Sequence, residues 1–141
     1  MKRLLPALLF FTGAATACDG LSVTGSWVRE PPPGSTTLAA FMTLTNASNK
    51  PISITAWRAP DFGMTMLHET VLEGGTARML MREKLEVPAM GSAVLKPGGL
   101  HLMLMKPSAP VRAGIKVRLV LSCADGDLSL EVPVRREDAT P

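Results

Sequence analysis

Hydrophobic and polar side chains alternate along most of the chain after residue 20, in short stretches separated by turn sequences. Strict alternation is typical of a β-strand that has one buried face and one solvated face. The predicted strands are residues 21–29, 38–46, 52–57, 64–72, 76–81, 91–95, 100–105, 111–121 and 128–134. Eight or nine short strands at this spacing predict one all-β domain, a Greek-key β-sandwich of the immunoglobulin or the cupredoxin type.

The predicted strand at residues 100–105, with the sequence LHLMLM, has an unusual outer face. Its three leucines share one parity and form an ordinary core face. The other parity is His101, Met103 and Met105, at positions where a solvated strand normally carries Thr, Lys or Glu. Packing of the core does not require thioethers and an imidazole on this second face.

Rows of His and Met at a spacing of two occur in three of the predicted strands. Both histidines and seven of the nine methionines fall between residues 64 and 105. The rows are Met64, Met66 and His68, then Met79 and Met81, then His101, Met103 and Met105. Residues two apart in a strand lie on the same face, so a sandwich can bring the rows together. Single methionines are commonly core filler, and a Met-rich surface can also bind another protein, but three rows favour a metal site.

The donor types in these rows favour monovalent copper. Thioether sulfur is soft and selects Cu(I), and neutral imidazole is an accepted copper ligand. Thioethers carry no proton, whereas unperturbed histidines titrate near pH 6.5. Outside the cytoplasm a pair of thiolates tends to oxidise to a disulfide, while Met survives milder oxidants.

Other kinds of site are poorly supported. A blue-copper centre needs a Cys ligand with His and Met close by, and neither follows Cys123 within range. There is no Ser-His-Asp arrangement or pair of carboxylates for catalysis, and both histidines are taken up by the predicted metal site. The sequence therefore predicts a binding protein and not an enzyme.

The N-terminus has the pattern of a secretory signal peptide at residues 1–17. A basic start is followed by a short apolar stretch and the small-residue site Ala15-Thr16-Ala17. The apolar stretch is shorter than the roughly 20 residues of a membrane-spanning helix, and no later segment resembles a span. Removing Lys2 and Arg3 lowers the formal charge from +3 to +1. With few aromatic residues and no basic stripe, nucleic-acid binding is not expected.

The chain has two cysteines, Cys18 and Cys123, which allow two interpretations. Cleavage after residue 17 would leave Cys18 at the mature N-terminus, where it can be acylated as in a lipoprotein or paired with Cys123. We favour the disulfide, because an even number of cysteines in an exported chain is usually bridged. In addition, Ala15 stands where lipoprotein signals prefer Leu. A bridge would place the first strand beside one of the last strands.

The spacing His68-x10-Met79-x21-His101-x-Met103 resembles the H-x10-M-x21-H-x-M signature of periplasmic copper chaperones of the PCuAC type. The resemblance covers nearly the whole of residues 18–141. It includes the sequences LHET at 67–70, EGG at 73–75, EVPA at 86–89, LKPGGLHLMLM at 95–105 and EVPV at 131–134.

This resemblance implies a cupredoxin-like Greek-key β-sandwich or barrel at residues 18–141. Residues 135–141 are polar, which predicts a flexible tail. It implies one Cu(I) per chain, held by His68, Met79, His101 and Met103. Met81 and Met105 share strand parity with these ligands, which predicts that they surround the ion or form its exit route. Met66 precedes His68 where the family has ordinary strand residues, and it is either strand packing or a further member of that surrounding group. The implied function is copper delivery in the periplasm to an acceptor such as a cytochrome oxidase subunit or a Sco-type thiol protein. Copper buffering or resistance without a dedicated acceptor remains the alternative.

Overall fold

A computed structural model describes residues 17–137; the predicted signal peptide, apart from residue 17, and residues 138–141 lie outside this part. All regular elements between residues 17 and 137 are β-strands. They are β1 (Leu21–Arg29), β2 (Thr37–Asn46), β3 (Ile52–Ile54), β4 (Ala56–Arg58), β5 (Phe62–Glu73), β6 (Thr76–Arg82), β7 (Leu85–Val87), β8 (Ser92–Leu95), β9 (Leu100–Pro107), β10 (Lys116–Cys123) and β11 (Gly126–Arg135).

Between residues 17 and 137, nine of the eleven strands form one large sheet, the other two form a small separate sheet, and the domain has a single hydrophobic core. Nine strands lie in the order β4-β10-β11-β1-β2-β8-β9-β5-β6, and β3 pairs with β7. The core cluster contains residues from every strand except β6. Its fully buried leucines, such as Leu44, Leu102 and Leu121, supply the main favourable term in folding. The structure confirms the predicted all-β Greek-key sandwich, which is cupredoxin-like.

The segment at residues 52–57, predicted as one strand, is two strands that pair with different partners. β3 pairs with β7 and β4 pairs with β10, while the N–H of Thr55 donates to the carbonyl oxygen of Ser122 at 2.9 Å. Ile54 and Trp57 are both buried although they are three residues apart, which breaks the two-residue period. The chain changes its pairing partner from β7 to β10 at this break.

Two further features differ from the prediction: one strand was missed, and another begins later than expected. The short strand β7 was not predicted, because three residues are too few for an alternation to show. The stretch at 111–115, predicted to begin a strand, is a turn in which the N–H of Ile115 approaches the carbonyl oxygen of Arg112 at 3.4 Å. β10 therefore starts at Lys116.

Strand β5 positions the His and Met rows. It pairs with β9 on one side and with β6 on the other. Leu67 and Leu102 are directly opposite each other in β5 and β9 and are buried in the core. Because side chains alternate across a sheet, His68 and His101, one position along, lie on the outer face.

The two ends of the domain are tied together by a disulfide. Cys18 and Cys123 are bonded, with their Cα atoms 5.5 Å apart, which is the pairing that the sequence favours. β1 lies parallel to β11, with Val28 opposite Val134. Within residues 17–137, no helix has the length and apolar character needed to cross a membrane.

The described part of the predicted flexible tail is joined to the start of the domain. Arg135 ends β11. Beyond it, Arg136 pairs with Glu30 at 3.3 Å, and Glu137 pairs with Arg29 at 2.9 Å. Exposed ion pairs of this kind contribute about 0–1 kcal/mol each.

Candidate metal centre

The two histidines face each other across neighbouring strands. His68 of β5 is directly opposite His101 of β9, and their ring centroids are 6.0 Å apart in an edge-to-face arrangement. Nitrogen–metal bonds of imidazole are about 2.0–2.1 Å long at zinc sites. Bonds of similar length would let both rings reach one ion placed between them.

His101 is fixed in a single tautomer that leaves one nitrogen free. Its side chain is only 5% exposed, and Nδ1 lies 2.9 Å from the carbonyl oxygen of Gly99. A carbonyl oxygen can only accept a hydrogen bond, so Nδ1 carries the proton and donates it. The lone pair is then on Nε2, and metal-binding histidines are commonly oriented by a hydrogen bond of this kind.

His68 has an unsatisfied ring nitrogen. Its Nδ1 is buried and has no hydrogen-bond partner among residues 17–137. Burial, with a smaller contribution from the neighbouring His101, lowers the pKa of His68 below its ordinary value of 6.5. The ring is therefore neutral at pH 7, as metal binding requires. A bound ion would satisfy a buried polar atom that otherwise costs stability.

Strand pairing brings thioethers to both sides of the histidine pair. Met103 of β9 is directly opposite Met66 of β5. This pair is two residues from the histidine pair along each strand and lies on the same outer face. On β6, Met81 is directly opposite His68, and Met79 is opposite Thr70. All of these side chains therefore lie on the outer face.

The register of β5 and β6 shows which of the two methionines of β6 lies closer to His68. Residues directly opposite have Cβ atoms about 4.5–5.5 Å apart, and diagonal neighbours are about 7–8 Å apart. Met79, the ligand implied by the resemblance, is a diagonal neighbour of His68, whereas Met81 is its direct neighbour. Met79 and Met81 are 63% and 61% exposed, so both can change conformation. The register thus places Met81 closer to His68 than Met79, the ligand that the resemblance implies.

The donor face is uncharged in the hairpin formed by β5 and β6. The charged side chains of the hairpin occupy the alternate positions, where Glu69 pairs with Arg82 and Glu73 pairs with Arg78 at 2.7 Å. A site made only of neutral sulfur and nitrogen suits a soft monovalent ion. Hard divalent cations such as Ca²⁺ and Mg²⁺ require oxygen donors.

The lowered pKa of His68 predicts how the stability of the metal-free protein changes with pH. The unfolded chain takes up a proton at His68 near pH 6.5, before the folded protein does, so acid favours unfolding. The stability that neutral His68 contributes is fully present above pH 6.5. It is lost as the pH falls through the lower pKa that His68 has in the folded protein. We expect the thermal midpoint of the metal-free protein to decrease over this range, and to decrease less in His68→Asn. Equal pH dependence of the two proteins would contradict this expectation.

Residues 21–134 match the model of the LpqE-like protein family, which is described as "Putative lipoprotein LpqE-like". The chain is 34% identical over 119 residues to "Putative lipoprotein Lxx21020" of Leifsonia xyli subsp. xyli (strain CTCB07). That alignment covers 83% of this chain and 70% of the relative.

Several solved structures have a similar fold. CuI-DR1885 from Deinococcus radiodurans is 34% identical with a TM-score of 0.69, covering 88% of this chain and 83% of the other. The apo form of DR1885 is 32% identical with a TM-score of 0.65, covering 98% of each chain. The copper-bound PCuAC domain from PmoF2 is 19% identical with a TM-score of 0.70, covering 83% of this chain and 93% of that domain. This last likeness shows the fold alone.

Proposed function

The chain belongs to the LpqE-like family, and from that premise we propose that it is an exported Cu(I)-binding metallochaperone. The observation that carries this proposal is the pair His68 and His101, opposite each other on an uncharged face that they share with thioethers. The likeness to CuI-DR1885, at 34% identity over most of both chains, supports copper as the ion. The protein binds and does not catalyse.

One Cu(I) is held per chain. His101 contributes Nε2, because its Nδ1 donates to Gly99, and His68 contributes a neutral ring. Met103 and Met79 complete a four-ligand set of two nitrogens and two sulfurs, as the H-x10-M-x21-H-x-M spacing implies. This set carries no charge, and at pH 7 loading releases no proton from the sulfurs.

The absence of cysteine from this ligand set determines the direction of copper transfer. Thiolates are anionic, soft ligands, and four neutral donors bind Cu(I) less tightly than a pair of thiolates does. Copper therefore passes from this protein to an acceptor with reduced cysteines. Such an acceptor is a cytochrome oxidase subunit or a Sco-type thiol protein outside the cytoplasm.

Mixing the Cu(I)-loaded protein anaerobically with a reduced dithiol acceptor tests this direction. We expect copper to be found on the acceptor after the proteins are separated, and to remain on the chaperone when the acceptor cysteines are replaced by serine. If the native acceptor fails to remove the ion, the delivery function is wrong and the protein is a copper buffer instead.

The mature protein is proposed to begin at Cys18 in the periplasm, with residues 18–141 forming the copper-binding domain. The disulfide to Cys123 uses the Cys18 sulfur that a lipid anchor would need. The mass of the mature protein distinguishes the two states, because a bridge removes two hydrogens whereas acylation adds a diacylglycerol.

A further inference from the structure

Three methionines beyond the proposed copper ligands form a second group of thioethers, which we call the thioether patch: Met64, Met66 and Met105. Met64 is directly opposite Met105 in the pairing of β5 with β9. Met66 is two residues from Met64 and opposite Met103 in the same pairing. The patch and Met103 therefore occupy four adjacent positions on the outer face.

Core packing does not account for the patch. The inner face of this part of the sheet is supplied by Leu102 and Leu104, which are fully buried. Met64 is 42% exposed, and Met66 and Met105 are half-buried. The thioethers lie on the opposite face of the sheet from the leucines.

Small neighbours leave the sulfurs accessible. On the far side of β9, the residues of β2 opposite Met105 and Met103 are Thr37 and Ala39. On the far side of β5, pairing with β6 ends at Leu67, so residues 62–66 have no β6 neighbour.

We propose that the thioether patch is a second binding site for a soft monovalent ion, Cu(I) or Ag(I), next to the histidine site. Opposed Cβ atoms about 4.5–5.5 Å apart, and neighbours two residues apart in a strand, allow flexible methionines to direct three sulfurs to one point. Soft thioethers select such ions. Met103 lies between the two sites and can contribute its sulfur to either ion.

The chemistry of the patch distinguishes its binding from that of the histidine site. The patch has three neutral sulfur donors and no imidazole, so none of its own donors has to lose a proton before it binds an ion. The proposal goes beyond copper delivery and does not depend on it, because it concerns ion binding by residues outside the four-ligand set.

Titration with Ag(I), observed by NMR of protein labelled with ¹³C at the methionine methyl groups, tests the proposal. The first equivalent is expected to shift the methyl signals of Met79 and Met103. The second is expected to shift those of Met64, Met66 and Met105. Met90, which is 73% exposed in a turn, and the buried Met42 are internal controls that should not move.

Two variants separate this proposal from the proposed function. Met64→Leu/Met105→Leu should lose the second equivalent and keep the first, while the matched control Met90→Leu keeps both. His68→Ala/His101→Ala should lose the first site and keep Ag(I)-dependent shifts in the patch. Unmoved Met64 and Met105 signals at two equivalents, or a second equivalent that survives the double leucine substitution, would overturn the proposal while leaving the histidine site unaffected.

Discussion

Replacing His101 with alanine is expected to lower the affinity for Cu(I) by more than about 100-fold. Mutation of residues that only orient a metal ligand already costs about 10–100-fold, and His101 is proposed to be a ligand itself. The Nδ1 hydrogen bond to Gly99 and the low exposure of the ring hold Nε2 in position. Anaerobic competition with a colorimetric Cu(I) chelator measures the change.

Two leucine substitutions provide graded controls for this result. Met103→Leu keeps the shape and hydrophobicity of the side chain but removes the sulfur, so we expect a smaller loss of affinity with little change in stability. Met90→Leu removes an exposed thioether outside the three rows and should have no effect. If His101→Ala and Met103→Leu both bind Cu(I) like the native protein, the ligand assignment is wrong.

Removing the disulfide is expected to destabilise the protein more than any loss of a surface ion pair. Cys18 and Cys123 are separated by 105 residues in the sequence, and closing a long loop restricts the unfolded chain strongly. Loss of a native disulfide typically costs about 2–5 kcal/mol. We therefore expect the double variant Cys18→Ala/Cys123→Ala to lose a free energy of unfolding in this range, measured by urea denaturation.

The same variant separates the structural role of the cysteines from the copper site. Because neither cysteine belongs to the proposed ligand set, the folded double variant should still bind one Cu(I) per chain. The native protein treated with a reductant should unfold at the same urea concentration as the variant. Equal stability of the native protein and the variant under oxidising conditions would show that the bridge does not form in solution.

The outer faces of the strands could be predicted from the sequence, because strand parity is a local property. The alternation in residues 100–105 placed the leucines in the core, and His101 and Met103 are on the other face. Which residues face each other could not be obtained from parity, since the pairing of β5 with β9 joins segments about 30 residues apart. The position of His68 opposite His101 is a tertiary feature.

One part of the register was nevertheless encoded locally. Gly74 and Gly75 both have positive φ angles, of 56° and 80°, and a two-residue Gly-Gly loop is typical of a tight hairpin. Counting back from Glu73 opposite Thr76 gives Met81 opposite His68. The Gly74-Gly75 turn in the sequence therefore indicated that Met81 lies close to His68. The spacing of the four ligands does not indicate this.

The division of residues 52–57 into β3 and β4 could not be predicted in the same way. The alternation of Ile52, Ile54 and Trp57 is short, and the chain changes pairing partner at Thr55. That change depends on contacts with β7 and β10, which are distant in sequence. Three-residue strands are stabilised by these neighbours and not by their own pattern.

X-ray absorption at the copper K-edge, on protein loaded anaerobically with one Cu(I) per chain, tests the ligand set most directly. Our account predicts a single ion that is retained through desalting and is surrounded by two nitrogen and two sulfur donors. Coordination by sulfur alone, coordination without sulfur, or loss of the ion during desalting would contradict it.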